Sequence, residues 1–89
     1  MKAEYLPTFL KDVKRLRGSD AFNRIKAFAF EEIETVTDLR SITGIKRLNA
    51  TEEAYRVRIG DYRVGFYVRG GVVVFARALN RRDIYRHFP

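Results

Sequence analysis

The chain has no cysteine, which excludes disulfides and thiolate metal sites and fits a protein of the cytoplasm. No apolar run approaches the ~20 residues of a membrane span, so no membrane association is expected. A signal-peptide pattern is missing too: Lys2 is followed at once by Glu4, and Pro7 interrupts the would-be apolar region. Histidine occurs once, as His87. No cluster has metal-ligand spacing, no glycine-rich phosphate loop is present, and no histidine–nucleophile pair stands out. Neither a metal nor another cofactor is therefore expected. Lysine stops at Lys46, and every later basic residue apart from His87 is an arginine. Arginine suits planar, two-pronged contacts with phosphate better than lysine does.

What remains is apolar and basic. Hydrophobic residues make up 46% and aromatics 13% of the 89 residues, enough for one packed core over residues 1–89 but not for two. The formal net charge is +7. A small basic domain commonly meets a phosphate polymer or a strongly acidic protein.

Residues 1–6 alternate weakly and read as a short strand. Pro7 suits the first position of a helix, which Phe9, Val13 and Leu16 continue at helical spacing. Gly18 stops that helix, and Ser19 or Asp20 is expected to cap a second one. Phe22, Ile25, Ala29, Ile33 and Val36 form one stripe, so this second helix is expected to run to about Val36. A turn over Thr37–Gly44 leads to a strand over Ile45–Ala50 and a loop at Thr51-Glu52-Glu53. Two hairpins follow, turning at Gly60-Asp61 and at Gly70-Gly71 and ending in the strand Val72–Leu79. The order β-α-α-β-β-β implies an α+β fold, an antiparallel sheet with a helical hairpin on one face.

The first hairpin, AYRVRIGDYRVGFYV, alternates strictly, the mark of half-buried strands. A Gly60-Asp61 turn pairs Ile59 with Tyr62 and sets Arg58 directly opposite Arg63. Like charges so placed destabilise a sheet, and the arrangement asks for an anion such as a nucleic-acid phosphate. A Gly70-Gly71 turn similarly sets Val68 opposite Val73, Phe66 opposite Phe75 and Gly65 opposite Ala76. Tyr55, Val57, Ile59, Tyr62, Val64, Phe66, Val73, Phe75 and Leu79 then share the core face. The other face carries Arg56, Arg58, Arg63, Gly65, Tyr67, Val74, Ala76 and Ala78, an expected shallow floor ringed by arginines with an aromatic edge. Such a floor can hold a single strand and stack a base, with Arg82 as a further phosphate contact. Gly60 and Gly65 read as turn and close-approach glycines.

Arg77 falls on the core face by parity, as does Glu32 on the second helix, and a partly buried pair between them would account for both. In the tail, Asp83 is expected to cap a short helical turn. Tyr85 lies in a segment that could fold back over the arginine face. His87, two residues on, is the one side chain that titrates near neutrality.

The segment IKRLNATEEAYRVRIGDYRVGFYVRGGVVVFARALNRRDIYRHFP, preceded by two amphipathic helices, resembles the RelE/ParE superfamily of toxins from type II toxin–antitoxin systems. The resemblance implies a compact β-α-α-β-β-β fold and a cognate antitoxin that wraps and blocks the toxin, with operator DNA reached only through that antitoxin. In the RelE branch it implies an endoribonuclease that cuts messenger RNA in the ribosomal A site without metal. In the ParE branch the target is DNA gyrase, and a silent member would act only as an antitoxin-binding module. By matching positions Arg56, Arg58 and Arg63 are the basic strand residues, Arg81 or Arg82 the basic position after the last strand, and Tyr85 the stacking aromatic. Arginine stands at Arg56 and Arg58 where some RelE enzymes have lysine, and arginine stays protonated and cannot serve as a base. The base is then Glu52, Glu53, Asp61 or His87, or the reaction rests on orientation and charge. A related branch pairs a glutamate base with a histidine acid, parts that Glu53 and His87 could take here.

Overall fold

The computed structural model describes residues 1–49 and 51–89. Five strands form one sheet in the order β1-β5-β4-β3-β2. They are β1 (Lys2–Tyr5), β2 (Ile45–Asn49), β3 (Ala54–Ile59), β4 (Tyr62–Arg69) and β5 (Val72–Asn80). β2 to β5 are antiparallel neighbours, whereas β1 lies parallel to β5 with Lys2 beside Val72 and Tyr5 beside Phe75. The α+β architecture is the expected one, but the sheet is mixed rather than wholly antiparallel. The Ala50 end of the expected second strand lies outside the described residues. No helix among them is long and apolar enough to cross a membrane.

Helix α1 (Pro7–Arg15) starts where β1 ends, with proline at its first turn and Lys14 and Arg15 in its last, the favourable ends for each. Gly18 turns the chain with φ +94. Helix α2 spans Phe22–Phe30 and is shorter than the apolar stripe suggests. Backbone angles at Glu31 break it, and Glu32–Thr35 continue as a 3₁₀ turn. The stripe persists because the turn still points the fully buried Ile33 inward. Ile33, Thr35, Val36 and Thr37 are β-branched, however, and hold a regular helix poorly. Neither Ser19 nor Asp20 caps α2: the N-cap is Ala21, with no side-chain cap bond. Ser19 instead offers its carbonyl to the Phe22 N–H at 3.2 Å.

Phe9, Val13, Ile25, Phe28, Ala29 and Ile33 from the helical side pack on Val57, Ile59, Val64, Phe66, Val73 and Phe75 from the sheet. Tyr5, Phe9 and Phe66 all lie against the Phe75 ring, with centroids 5.5, 5.1 and 5.6 Å away. Both expected turns hold, with Ile59 opposite Tyr62, Arg58 opposite Arg63 and Val68 opposite Val73.

Beyond Phe75 the register departs from expectation. Gly65 faces Arg77, not Ala76, because Ala76 is an extra residue in β5. Such a bulge reverses the inside–outside parity after it. Ala78 is thereby turned into the main core, and Leu79 packs in a second cluster on the other face. The expected ion pair is corrected as well, because α1 and not the end of α2 lies against β5. Glu32 is exposed, and Arg77 pairs instead with Asp12 of α1, Nε to Oδ2 at 2.7 Å and Nη2 to Oδ1 at 3.1 Å. The Ala78 N–H donates to the same carboxylate at 3.0 Å. Asp12 is buried beside Phe9 and Val13, a position legible from its helical spacing.

Candidate nucleic-acid interface

The sheet face opposite the helices is not an open floor. After β5 the chain turns through Arg81–Asp83, and the short helix α3 (Ile84–His87) folds back over the sheet. Ile84 and Phe88 pack with Ala54 and Ala76 as a second apolar cluster, joined by Leu48, Tyr67 and Leu79. Gly65 makes this possible. A Cβ there would stand 2.6 Å from Cγ and 2.8 Å from Cε2 of Phe88, so the ring lies directly on the strand. The close-approach reading of Gly65 holds, and Gly65 and Ala76 of the expected floor are seats for the C-terminal segment, whereas Ala78 faces the main core. Ile84 and Phe88, four apart, carry the signal: apolar residues at helical spacing inside a charged tail. Asp83 occupies the N-cap position of α3, but its side chain makes no cap bond.

This segment divides the basic face by depth. Arg56 is buried, 9% exposed, with its guanidinium 4.6 Å from the centre of the Tyr85 ring. One of its nitrogens also donates to the Tyr85 hydroxyl at 3.4 Å. Tyr85 itself is 69% exposed. Held from below by a cation, its ring turns a free face outward. Tyr67, the expected aromatic edge, is half-buried and tilted against Phe88 at 5.0 Å, with Arg69 4.7 Å over its ring. The exposed ring of this face is therefore Tyr85.

Arg58 and Arg63 face each other across the β3–β4 turn, with Arg58 exposed and Arg63 half-buried. The Arg63 guanidinium donates to the carbonyls of Gly60 at 3.0 Å and Tyr62 at 2.9 Å, which fixes its direction. Burial, and after it the positive charges of Arg58, Arg56 and Arg81, pull the Arg63 guanidinium below its ordinary pKa. Arginine stays protonated near neutrality, so the cluster keeps its positive charge. Among the described residues the side-chain ion pairs are Arg40 with Asp38 and Arg77 with Asp12, and neither touches the cluster. Four cations thus converge beside an exposed aromatic ring.

Arg81 joins the cluster because its N–H donates to the Asp61 carbonyl at 2.9 Å, tying the tail to the β3–β4 turn. Asp61, Arg81 and Arg82 line one polar depression of about 460 Å³. Lys46 is a cation that sequence reasoning missed. It lies directly across from Arg56, on the same face, but the loop between β2 and β3 is too long for turn rules to set their register. Glu53 sits in the left-handed region at φ 47, in the exposed loop three residues before Arg56, and no ion pair joins it to the arginines among the described residues. Glu52 precedes it in the same exposed loop. His87 is exposed and lies two residues past Tyr85, about 200° round the helix from it. Of the expected bases, Asp61 alone shares a depression with arginines of the set.

No family model matches the chain. Toxin RelE3 of Methanocaldococcus jannaschii is 37% identical over 90 residues, which span 100% of both chains. The crystal structure of the RelB–RelE antitoxin–toxin complex from Methanococcus jannaschii contains a chain similar at TM-score 0.78 and 34% identity, covering 97% of this chain and 99% of that one. YafQ from E. coli shares the fold at TM-score 0.74 and 19% identity, over 94% and 97% of the two chains.

Proposed function

This chain belongs to the RelE family, the toxins of type II toxin–antitoxin systems, and we propose that it is a ribosome-dependent, metal-independent endoribonuclease cutting messenger RNA in the A site. The supporting observation is the cross-strand pair Arg58–Arg63, free of any carboxylate among the described residues and flanked by Arg56, Arg81 and the exposed Tyr85. In such a cut the 2′-oxygen of one nucleotide attacks the adjacent phosphorus. The 5′-oxygen of the next nucleotide leaves and takes up a proton, giving a 2′,3′-cyclic phosphate and a 5′-hydroxyl. Negative charge builds on the phosphoryl oxygens at the transition state, where preorganised donors act most strongly. Arg63, aimed by two backbone carbonyls, and Arg58 opposite it supply such donors. Tyr85 stacks a neighbouring base on its free face, and base–aromatic stacking contributes about 1–3 kcal/mol per base. Arginine cannot take the 2′-hydroxyl proton, so that proton passes to water or to Asp61, which shares a depression with Arg81 and Arg82, and rate comes mainly from charge and orientation.

The partner is a cognate antitoxin, as the similar chain of the RelB–RelE complex has one, and an acidic segment of it would fit the basic face. A test induces the chain alone in a bacterium and maps new 5′ ends across cellular RNA, beside the Arg58→Ala, Arg63→Ala double variant. Loss of one transition-state donor costs roughly 10²–10³-fold, so cuts in phase with codons should vanish in the variant and when translation is blocked. Growth arrest with DNA breaks and no RNA cuts would overturn the reading in favour of gyrase, and no arrest would favour a silent antitoxin-binding protein.

A further inference from the structure

Between α2 and β3 lies a cleft of about 590 Å³, within the range of small-ligand sites, and Arg58 belongs both to it and to the basic face. The cleft exists because β2 stops short. Its pairing with β3 begins at Ile45 opposite Val57, leaving Arg58 and Ile59 without a β2 partner. The last link is the Arg58 N–H donating to the Gly44 carbonyl at 3.1 Å. Gly44 has φ +78, and a Cβ on it would stand 3.2 Å from the Arg58 carbonyl oxygen. A glycine is therefore required for the loop to approach β3 here and then turn away, and the gap it leaves opens beside Arg58.

The walls have the chemistry of a nucleotide site. Phe28, Ile42 and Val57 give an apolar floor on which a base can lie. Arg24 is an exposed cation at the cleft, suited to the phosphate, and Arg58, whose side chain lies on the other face of β3, borders it at the strand edge. Asn23 and Glu32 are also exposed there, and Glu32 carries no ion pair among the described residues. A carboxylate accepts from the exocyclic amine of cytosine, whereas uracil presents a carbonyl oxygen at the same position. We propose that this cleft is a nucleotide subsite beside the arginine cluster, taking a flanking nucleotide of the single-stranded substrate and using Glu32 to prefer an amine-bearing base over uracil. The subsite rests on the nuclease reading. A strand crossing Arg63 and Arg58 continues round the free edge of β3 into it.

Amide NMR titration of the full chain with cytidine and uridine monophosphates tests this, since the two differ at the base edge that Glu32 would meet. Cytidine monophosphate should move the resonances of Asn23, Arg24 and Glu32 and bind about tenfold more tightly than the uridine nucleotide, a modest share of what a good base contact discriminates. In Glu32→Gln the preference should fall below about twofold, with resonances outside the cleft unmoved as a check on folding. Equal binding by the native chain, shifts confined to the Arg56–Arg63 face, or no shifts would overturn the subsite. The 5′-end map separates the two readings. Cuts without flanking-base bias would leave the nuclease standing and overturn the subsite. Amine-selective binding without cuts would overturn the nuclease and keep a nucleotide-binding cleft.

Discussion

Gly65→Ala adds one methyl group, and its effect should change sign with the residue at position 88. In the native chain the new Cβ would stand 2.6 Å from Phe88 Cγ. Cγ is the root of the ring, not the end of a flexible chain, so Phe88 must leave its seat. Phe88 is 3% exposed, and full burial of such a side chain is worth about 1.5–3 kcal/mol. Replacing a strand glycine by alanine returns about 0.5–1 kcal/mol of backbone entropy. The net loss is then about 1–2 kcal/mol, out of the roughly 5–15 kcal/mol typical of whole domains. In a Phe88→Ala background nothing is left to evict, and the same methyl should stabilise by about 0.5 kcal/mol. Urea unfolding of the four proteins completes the double-mutant cycle, with an expected coupling of about 2 kcal/mol. Because α3 carries Tyr85, hydrogen exchange over Ile84–His87 should also quicken in Gly65→Ala while the Phe9–Phe75 core stays protected. Additive effects within about 0.5 kcal/mol, or unchanged exchange in the tail, would refute the claim that Gly65 seats the segment.

Two further perturbations probe the scaffold. Asp12→Ala removes the partner of Arg77 and orphans the Ala78 N–H at once. The cost should be about 3 kcal/mol, the low end for a broken buried pair, because the Arg77 side chain keeps 21% exposure and can turn to water; a urea midpoint within error of the native one would contradict this. Burial, and secondarily the negative charge of Glu34, raise the pKa of Tyr5 above the ordinary tyrosine value. A raised folded pKa contributes stability that is complete below the ordinary value near 10 and lost as pH climbs through the shifted one. Stability should therefore decline above about pH 10, and Tyr5→Phe should flatten that decline. The same variant should lose about 1 kcal/mol at pH 7, since it removes the 2.7 Å bond from the Tyr5 hydroxyl to the Ala29 carbonyl. An equal alkaline slope in both proteins would reject the assignment.

Local patterns were legible wherever one short-range rule decided them. Strict alternation and two-residue turns placed Arg58 against Arg63 and Phe66 against Phe75, because a hairpin's register follows from its turn. Pro7 and Gly18 bounded α1 in the same way. Periodicity misjudged α2, where an unbroken apolar stripe concealed a change from α to 3₁₀ turn at Glu31.

The sequence by itself determined the order of elements, the core stripe, the concentration of arginine on one hairpin face and the family resemblance, all properties of neighbours along the chain. Tertiary structure alone decided how those neighbours were used. The packing of α1 on β5 put Arg77 on Asp12 rather than Glu32, and the returning tail turned an apparent open floor into a covered one. It left Tyr85, and not Tyr67, as the exposed ring over Arg56. The parallel docking of β1, the crossing of Lys46 to Arg56 and the cleft at the end of β2 likewise depend on contacts between distant segments. Such contacts are set by which packing leaves the fewest voids and unpaired polar groups, a quantity that no local pattern contains.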